Sequence, residues 1–339
     1  MKKMQGIQRG VRPVVLHNRS GKMKDTKLYL VIPCYNEEEV LPETAKRLNR
    51  LFDAMEAGDL ISGESRIVFV DDGSRDRTWE LISSLSTDYP RFRGIKLAKN
   101  AGHQNALLAG LMTVKDECDC AISIDADLQD DIEVIPQFIR KFDEGCDVVY
   151  GARNDRTTDT FFKRTTAVGF YKFMKAMGVN VVFNHADYRL MSRRALSALS
   201  EFSEVNLFLR GLVPLVGYKS DIVYYQRGER FAGESKYPLK KMLSFAFDGI
   251  TSFSIKPIRL VWSVGAVISI LAIVAAIYTL IAKFWGVTTA GWSSLMISIW
   301  FLGGVQLVSV GIIGEYIGKI YKETKRRPRY IIEEYKKDE

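Results

Sequence analysis

The chain has 339 residues, a formal net charge of +8 and 47% hydrophobic residues, which excludes a mostly disordered protein and leaves room for one large domain or two ordinary ones. The positive charge points to an anionic partner, and nucleic acid, acidic lipid and phosphorylated metabolites all meet that description. Charge alone does not choose among them.

In chain order, residues 1–26 are basic and polar without an apolar core segment, so they are expected to form a flexible tail rather than a signal peptide or a span. From 27 to 152 apolar runs alternate with helical patterns. Strands are predicted at 28–33, 66–72, 92–98, 120–126 and 147–153, with helices near 37–57, 76–86, 103–115 and 132–144 between them. That alternation predicts an α/β domain with a mostly parallel, Rossmann-like sheet. Open sheets of this kind bind ligands beyond the carboxyl ends of their strands. Each predicted strand runs into a polar cluster there: Pro33 to Glu37, Asp71 to Ser74, Lys99-Asn100, Asp125 to Asp127 and Gly151 to Arg153.

Farther on, Phe170, Phe173 and Met177 share one side of a helical wheel while Arg164, Lys172 and Lys175 lie opposite. This predicts a helix at 160–178 lying in a membrane interface, with an ordinary core helix as the alternative. A second stripe, Leu239, Leu243, Ala246, Ile250 and Phe253, makes 236–256 a juxtamembrane amphipathic helix and closes a cytoplasmic domain of 27–235. Two uncharged runs follow, 260–282 and 284–314. Each exceeds the roughly 20 residues needed to cross a bilayer, so 257–318 is predicted to be a two-helix transmembrane hairpin. Lys256 and Arg259 precede the first run and Lys319, Lys322, Lys325, Arg326, Arg327 and Arg329 follow the second, whereas the connector carries only Lys283 at its edge. Both termini and the domain of 27–235 are therefore expected on the cytoplasmic side of the plasma (inner) membrane, with 319–339 a basic cytoplasmic tail. Cys34, Cys118, Cys120 and Cys146 fit no zinc spacing and are read as reduced, and as buried or incidental.

The segment "AISIDADLQDD", 121–131, ends a buried strand in crowded carboxylates. Like charges that close repel unless a cation neutralises them, and an Asp-x-Asp pair is a common seat for Mg²⁺ or Mn²⁺. A solvated Asp-rich turn or a helix cap is the competing reading of the same letters. Asp72-Gly73-Ser74 is in any case a turn.

Four motifs in order, "VIPCYNEEEVLP", "FVDDGSRDRTWELI", "KNAGHQNALLAGL" and "SIDADLQDD", resemble glycosyltransferase family 2. The similarity is to the branch that includes dolichol-phosphate mannose synthase and bacterial polyprenyl-phosphate glycosyltransferases, and it covers about residues 28–256. It implies a nucleotide-sugar-binding domain of GT-A type, a nucleotide-diphosphate sugar and a polyprenyl phosphate as substrates, a Mg²⁺ or Mn²⁺ cofactor, and no nucleic acid; a homo-oligomer stays open. By the same resemblance Pro33, Tyr35 and Glu37 contact the nucleotide and Asp71 and Asp72 meet its base or ribose. Asp127, with Asp125 and Gln129, would hold the metal on the donor diphosphate, and Arg153 would contact phosphate. Asp187 falls near the reacting centre as base or positioning residue, beside His185. "RFAGESKY" is similar to a loop that closes on phosphates, which places Arg230, Ser235 and Lys236 at the site, while Lys240 and Lys241 suit anionic membrane lipids. The implied activity is inverting transfer of one hexose, with UDP-glucose as first choice and UDP-N-acetylglucosamine, an aminoarabinose nucleotide and GDP-mannose open. A processive polysaccharide synthase fits less well, because the span from Gln226 to Arg230 only partly echoes Gln-x-x-Arg-Trp and has no Trp. A noncatalytic membrane scaffold would be expected to have lost these motifs.

Overall fold

The computed structural model describes residues 26–153, 185–205, 207–226, 251, 254–284 and 291–337. The first half realises the predicted alternation. Strands β1 (Leu28–Cys34), β2 (Arg66–Asp71), β3 (Phe92–Leu97), β4 (Cys120–Ser123) and β5 (Val148–Arg153) are separated by helices α1 (Leu41–Ala57), α2 (Thr78–Asp88), α3 (His103–Val114) and α4 (Ile135–Asp143). Every residue of β1 is buried, as expected of a strand covered by helices on both faces. One face packs Leu30, Ile32 and Phe69 against Leu48 and Phe52 of α1 and Phe138 of α4. The other packs Val31, Val68 and Val70 against Leu107 and Leu111 of α3. Gly110 sets how closely α3 approaches: a Cβ there would lie 2.4 Å from Val31 Cγ1 and 2.7 Å from Val70 Cγ2. That close seat fixes the height of the α3 N terminus above the strand ends.

The second half supplies elements the sequence patterns did not mark: β6 (His185–Ser192), α5 (Arg193–Ser200), α6 (Leu209–Leu215) and β7 (Ser220–Tyr225). The Ser192 side chain accepts from the Ala195 N–H and starts α5 directly at the end of β6. With β8 (Ile332–Lys336), the strands make one eight-stranded sheet in the order β7-β5-β6-β4-β1-β2-β3-β8. The sheet is mixed, with four of its seven pairings parallel as expected. β6 runs antiparallel to β4 and β5, and β8 antiparallel to β3, while the other pairings are parallel. The order reverses between β1 and β4, the place where open α/β sheets leave a ligand crevice.

Two long helices follow, α7 (Lys256–Phe284) and α8 (Trp292–Lys325). Among the described residues the stretch Phe301–Lys325, with mean hydropathy 1.4, is long and apolar enough to cross a membrane. Leu260, Trp262, Ile270, Leu307 and Val310 on these helices are exposed, an apolar surface that water would penalise. The stretch 319–339, expected to be a basic cytoplasmic tail, carries secondary structure over its described part. Residues to Lys325 prolong α8, and 332–336 return as β8 on the β3 edge, where Tyr335 pairs with Ile95. The predicted helix at 160–178 and most of the one at 236–256 lie outside the described residues, as do Arg230, Ser235, Lys236, Lys240 and Lys241.

Candidate active site

The turns after β1 and β2 are clasped together. Asn36, in the left-handed region at φ 55°, donates its N–H to Ser74 Oγ (3.0 Å) and accepts from the Arg75 N–H (2.9 Å). The Glu37 N–H meets Thr78 Oγ1 at 2.9 Å. Pro33 lies inside β1, paired with Val70, and Tyr35 stands exposed on the rim. Asp71 is fully buried; Oδ1 accepts from the Ser74 N–H, but Oδ2 has no hydrogen-bond partner among the described residues, and burial raises its pKa. Such an enclosed acceptor suits an incoming N–H. Asp72, expected at the base or ribose, has both oxygens engaged within the protein. Its two oxygens accept from the Ala101 and Gly102 N–H groups (2.6 and 3.0 Å), tying the β2 turn to the start of α3. Gly73, at φ 68°, makes this possible, since a Cβ would lie 2.7 Å from the Asn100 nitrogen.

Antiparallel pairing brings two distant acids face to face. Ser123 pairs with Arg189, so the same register continued two residues sets Asp125 opposite Asp187. His103, at the start of α3, lies between them, its Nε2 3.5 Å from Asp125 Oδ1 and 3.8 Å from Asp187 Oδ2. The Asp125 side chain is 39% exposed, yet Oδ1 is enclosed and accepts no hydrogen bond among the described residues. Burial, then the charges of Asp130, Asp187 and Asp127, push its carboxyl up to about 6 against the pull of His103. Asp187 goes the other way. Burial would raise it, but the guanidiniums of Arg210 and Arg189 outweigh that and hold it well below the usual carboxylate range. Arg210 donates through Nε to Oδ1 (3.3 Å) and from its other end to Oδ2 (3.1 Å), and Arg189 donates to Oδ1.

Asp127 accepts the Gln129 N–H at 3.1 Å across Leu128, whose φ is 56°. Gln129 lines a cavity of about 600 Å³ with Arg47, Arg50, Asp130 and Gln226. Arg153 reaches back from β5 to buried Asp130 (3.3 Å) and to the Tyr225 hydroxyl (3.4 Å), which itself donates to Asp130 at 2.5 Å. The structure thus brings Asp125, Asp127, Gln129, Arg153 and Asp187 to one crevice at the β4 end, and Pro33, Tyr35, Glu37 and Asp71 to the adjoining β1–β2 turns. His103, Asp130, Arg189, Arg210 and Tyr225 join them without having been singled out. Arg189 carried one signal, since two residues along a strand from Asp187 it must share that residue's face.

Among the described residues no three His, Cys, Asp or Glu side chains converge as a metal cage. Asp125 and Asp127 nevertheless fit a hard divalent cation, which binds through one or two carboxylates and leaves its other positions to water and phosphate. The enclosed Asp125 Oδ1, which accepts no hydrogen bond among the described residues and faces His103, is the observation in favour.

Residues 29–200 match the model of glycosyl transferase family 2, and residues 256–320 match the GtrB C-terminal hairpin. The chain is 57% identical to an uncharacterized glycosyltransferase, YkoT, of Bacillus subtilis over 92% of its own length and 93% of the relative's. It is 41% identical to a prophage bactoprenol glucosyl transferase homolog of Escherichia coli, covering 92% and 100% of the two chains. To the bactoprenol glucosyl transferase of Shigella phage SfX it is 40% identical over 91% and 100%.

Proposed function

The chain belongs to glycosyl transferase family 2, and from that premise we propose that it transfers one glucose from UDP-glucose to a polyprenyl phosphate at the cytoplasmic face of the plasma membrane, with inversion. The named activity of relatives aligned along nearly the whole chain supports glucose and the lipid. The observation that carries the chemistry is the meeting of Asp125 and Asp187 across His103 at the sheet's switch point.

In this reading an acceptor phosphate oxygen attacks the sugar C1, and the C1–oxygen bond to the donor's β-phosphate breaks with its electron pair leaving on the nucleoside diphosphate. A bound Mg²⁺ or Mn²⁺ on Asp127 and Asp125, near Gln129, would supply charge neutralisation for that leaving group. Asp71 accepts a base N–H, with Pro33, Tyr35 and Glu37 around the nucleoside, and Asp72 holds the turn. Arg153, fixed by Asp130 and Tyr225, is aimed at phosphate. Asp187 orients Arg210 and, with its carboxyl held below the usual range by two guanidiniums, is assigned to positioning rather than to taking a proton. None is needed, since a phosphate monoester with a second pKa near 6 is already largely ionised. Arg230, Ser235 and Lys236 are assigned to closure over the phosphates, and 257–318 to a hairpin anchoring the enzyme, by family resemblance and the match to the hairpin model.

The test is turnover of radiolabelled UDP-glucose with undecaprenyl phosphate by the purified full chain in detergent. Glucosyl lipid should form, EDTA should abolish it and Mn²⁺ or Mg²⁺ restore it. Asp127→Asn should lose at least about 100-fold with folding unchanged. Undiminished turnover in EDTA would remove the metal, and no product from UDP-glucose under conditions where another nucleotide sugar reacts would remove glucose.

A further inference from the structure

A cavity of about 1150 Å³ lies well away from the crevice, between the C-terminal end of α3, the segment after α5, and the last turn of α8 with the stretch leading to β8. Its floor is apolar, formed by Leu108, Met112, Leu199, Phe202 and Tyr330, and its charged lining is Lys115, Arg326, Arg327 and Arg329 against the single acid Glu323. Glu323 is already engaged, its Oε2 accepting the Val205 N–H at 2.8 Å. Arg329 donates to the Phe202 carbonyl (2.7 Å) and Lys115 to Ser200 Oγ (3.4 Å), so both hold walls of the cavity. Arg326 and Arg327 are exposed and form no ion pair among the described residues. The α8 C terminus contributes about half a negative charge, far less than the net surplus of three cations.

We infer that this cavity binds the phosphate headgroup of an anionic membrane lipid, with the upper part of the acyl chains on the apolar floor. Three observations converge. The cavity joins a cationic rim to an apolar floor, the pairing an amphiphilic anion requires. It lies at the C-terminal end of Phe301–Lys325, the stretch apolar enough to cross a membrane, on the side of that helix where basic side chains cluster and attract anionic lipid. It also lies outside the transfer reaction: Lys115 is twelve residues from His103 along the α3 direction, about 18 Å at 1.5 Å per residue, too far for a phosphate held there to reach the Asp125–Asp187 crevice. The site therefore serves to seat the catalytic domain on the membrane, and its occupancy is read without any turnover.

Isothermal titration of the detergent-solubilised full chain with dihexanoyl phosphatidylglycerol tests it. Saturable binding of one lipid is expected, weakened about 30-fold in R326Q/R327Q and about 5-fold in K115Q, from about 1 kcal/mol per charge. The variant K46Q/R140Q makes the same change in net charge on α1 and α4 and should bind like the wild type. Dihexanoyl phosphatidylcholine should show no saturable binding. Undiminished affinity in R326Q/R327Q and K115Q, an equal loss in K46Q/R140Q, or equal binding of the zwitterionic lipid would overturn the site. Inorganic phosphate binding as tightly as the lipid would make it a free-phosphate site and overturn the lipid assignment.

Discussion

Asp187 takes its character from two guanidiniums. Its side chain is 11% exposed and that of Arg189 2%, and a buried pair of this kind is costly to break because the survivor keeps an uncompensated charge. Its folded pKa is depressed, so its contribution to stability is complete above the unfolded value of about 4 and is lost only as pH falls through the folded value. Between pH 6 and 9 that contribution is constant. Asp187→Asn should therefore cost about 3 kcal/mol in denaturant unfolding and lower turnover by a factor that stays the same across pH 6–9. A deficit that closes as pH rises would make Asp187 a base. Asp72→Ala should cost about 2 kcal/mol, because the Ala101 and Gly102 N–H groups lose their acceptors; an unfolding midpoint equal to the wild type would leave its carboxylate to the nucleotide. The Asp-x-Asp pair, the buried Asp71 and Arg153 were legible as letters at strand ends. The partners were not: Asp130 and Tyr225 meet Arg153, and Arg210 on α6 meets Asp187, across long separations in the chain, and nothing in a local window marks those meetings.

At the scale of elements, β1 to β5 could be read because strands buried on both faces are written as apolar runs, as in "LYLVIP" and "RIVFVD". β6 escaped because "HADYRLMS" carries charges at Asp187 and Arg189 that look solvent-bound and are buried only by neutralising each other. β8 escaped for the opposite reason. "IEEYK" is an edge strand, half-exposed and charged, and such strands give no apolar signal. Its attachment is nonetheless specific: Lys336 reaches Ser83, Lys337 pairs with Glu117 at 2.6 Å, and the Tyr335 hydroxyl is 3.4 Å from Arg93. Removing residues 331–339 should cost about 3 kcal/mol, the loss of several ladder and side-chain hydrogen bonds, and uncover the β3 edge so that the chain aggregates sooner on heating. The crevice lies across β1, β2 and β4, so per-molecule turnover of the monodisperse fraction should change little. An unfolding curve that overlays the full-length chain would mean β8 is not seated on β3 in solution.

At the scale of the molecule, β8 constrains the topology. The chain leaves the catalytic domain into α7 at Lys256, passes through α8, and comes back to the same sheet at Ile332. The two helices must therefore begin and end on one side of any membrane, and if Phe301–Lys325 crosses it, α7 must cross it as well. The proposed orientation follows from the charges, because Lys256, Arg259 and the basic residues from Lys319 to Arg329 all lie at the ends nearest the catalytic sheet, and such clusters are expected to stay cytoplasmic. Accessibility labelling checks both steps, and the protein helps it: all four native cysteines are buried, and burial pushes the Cys118 thiol up to about 12, so background reaction is low. A cysteine in place of Thr288, in the connector, should react with an impermeant maleimide on intact cells, whereas one in place of Lys337, beside β8, should react only after permeabilisation. Labelling of both positions in sealed cells would put the catalytic sheet outside, away from cytoplasmic nucleotide sugar, and labelling of neither would leave the hairpin short of the outer face; either result would break the link between the returning strand and a double crossing.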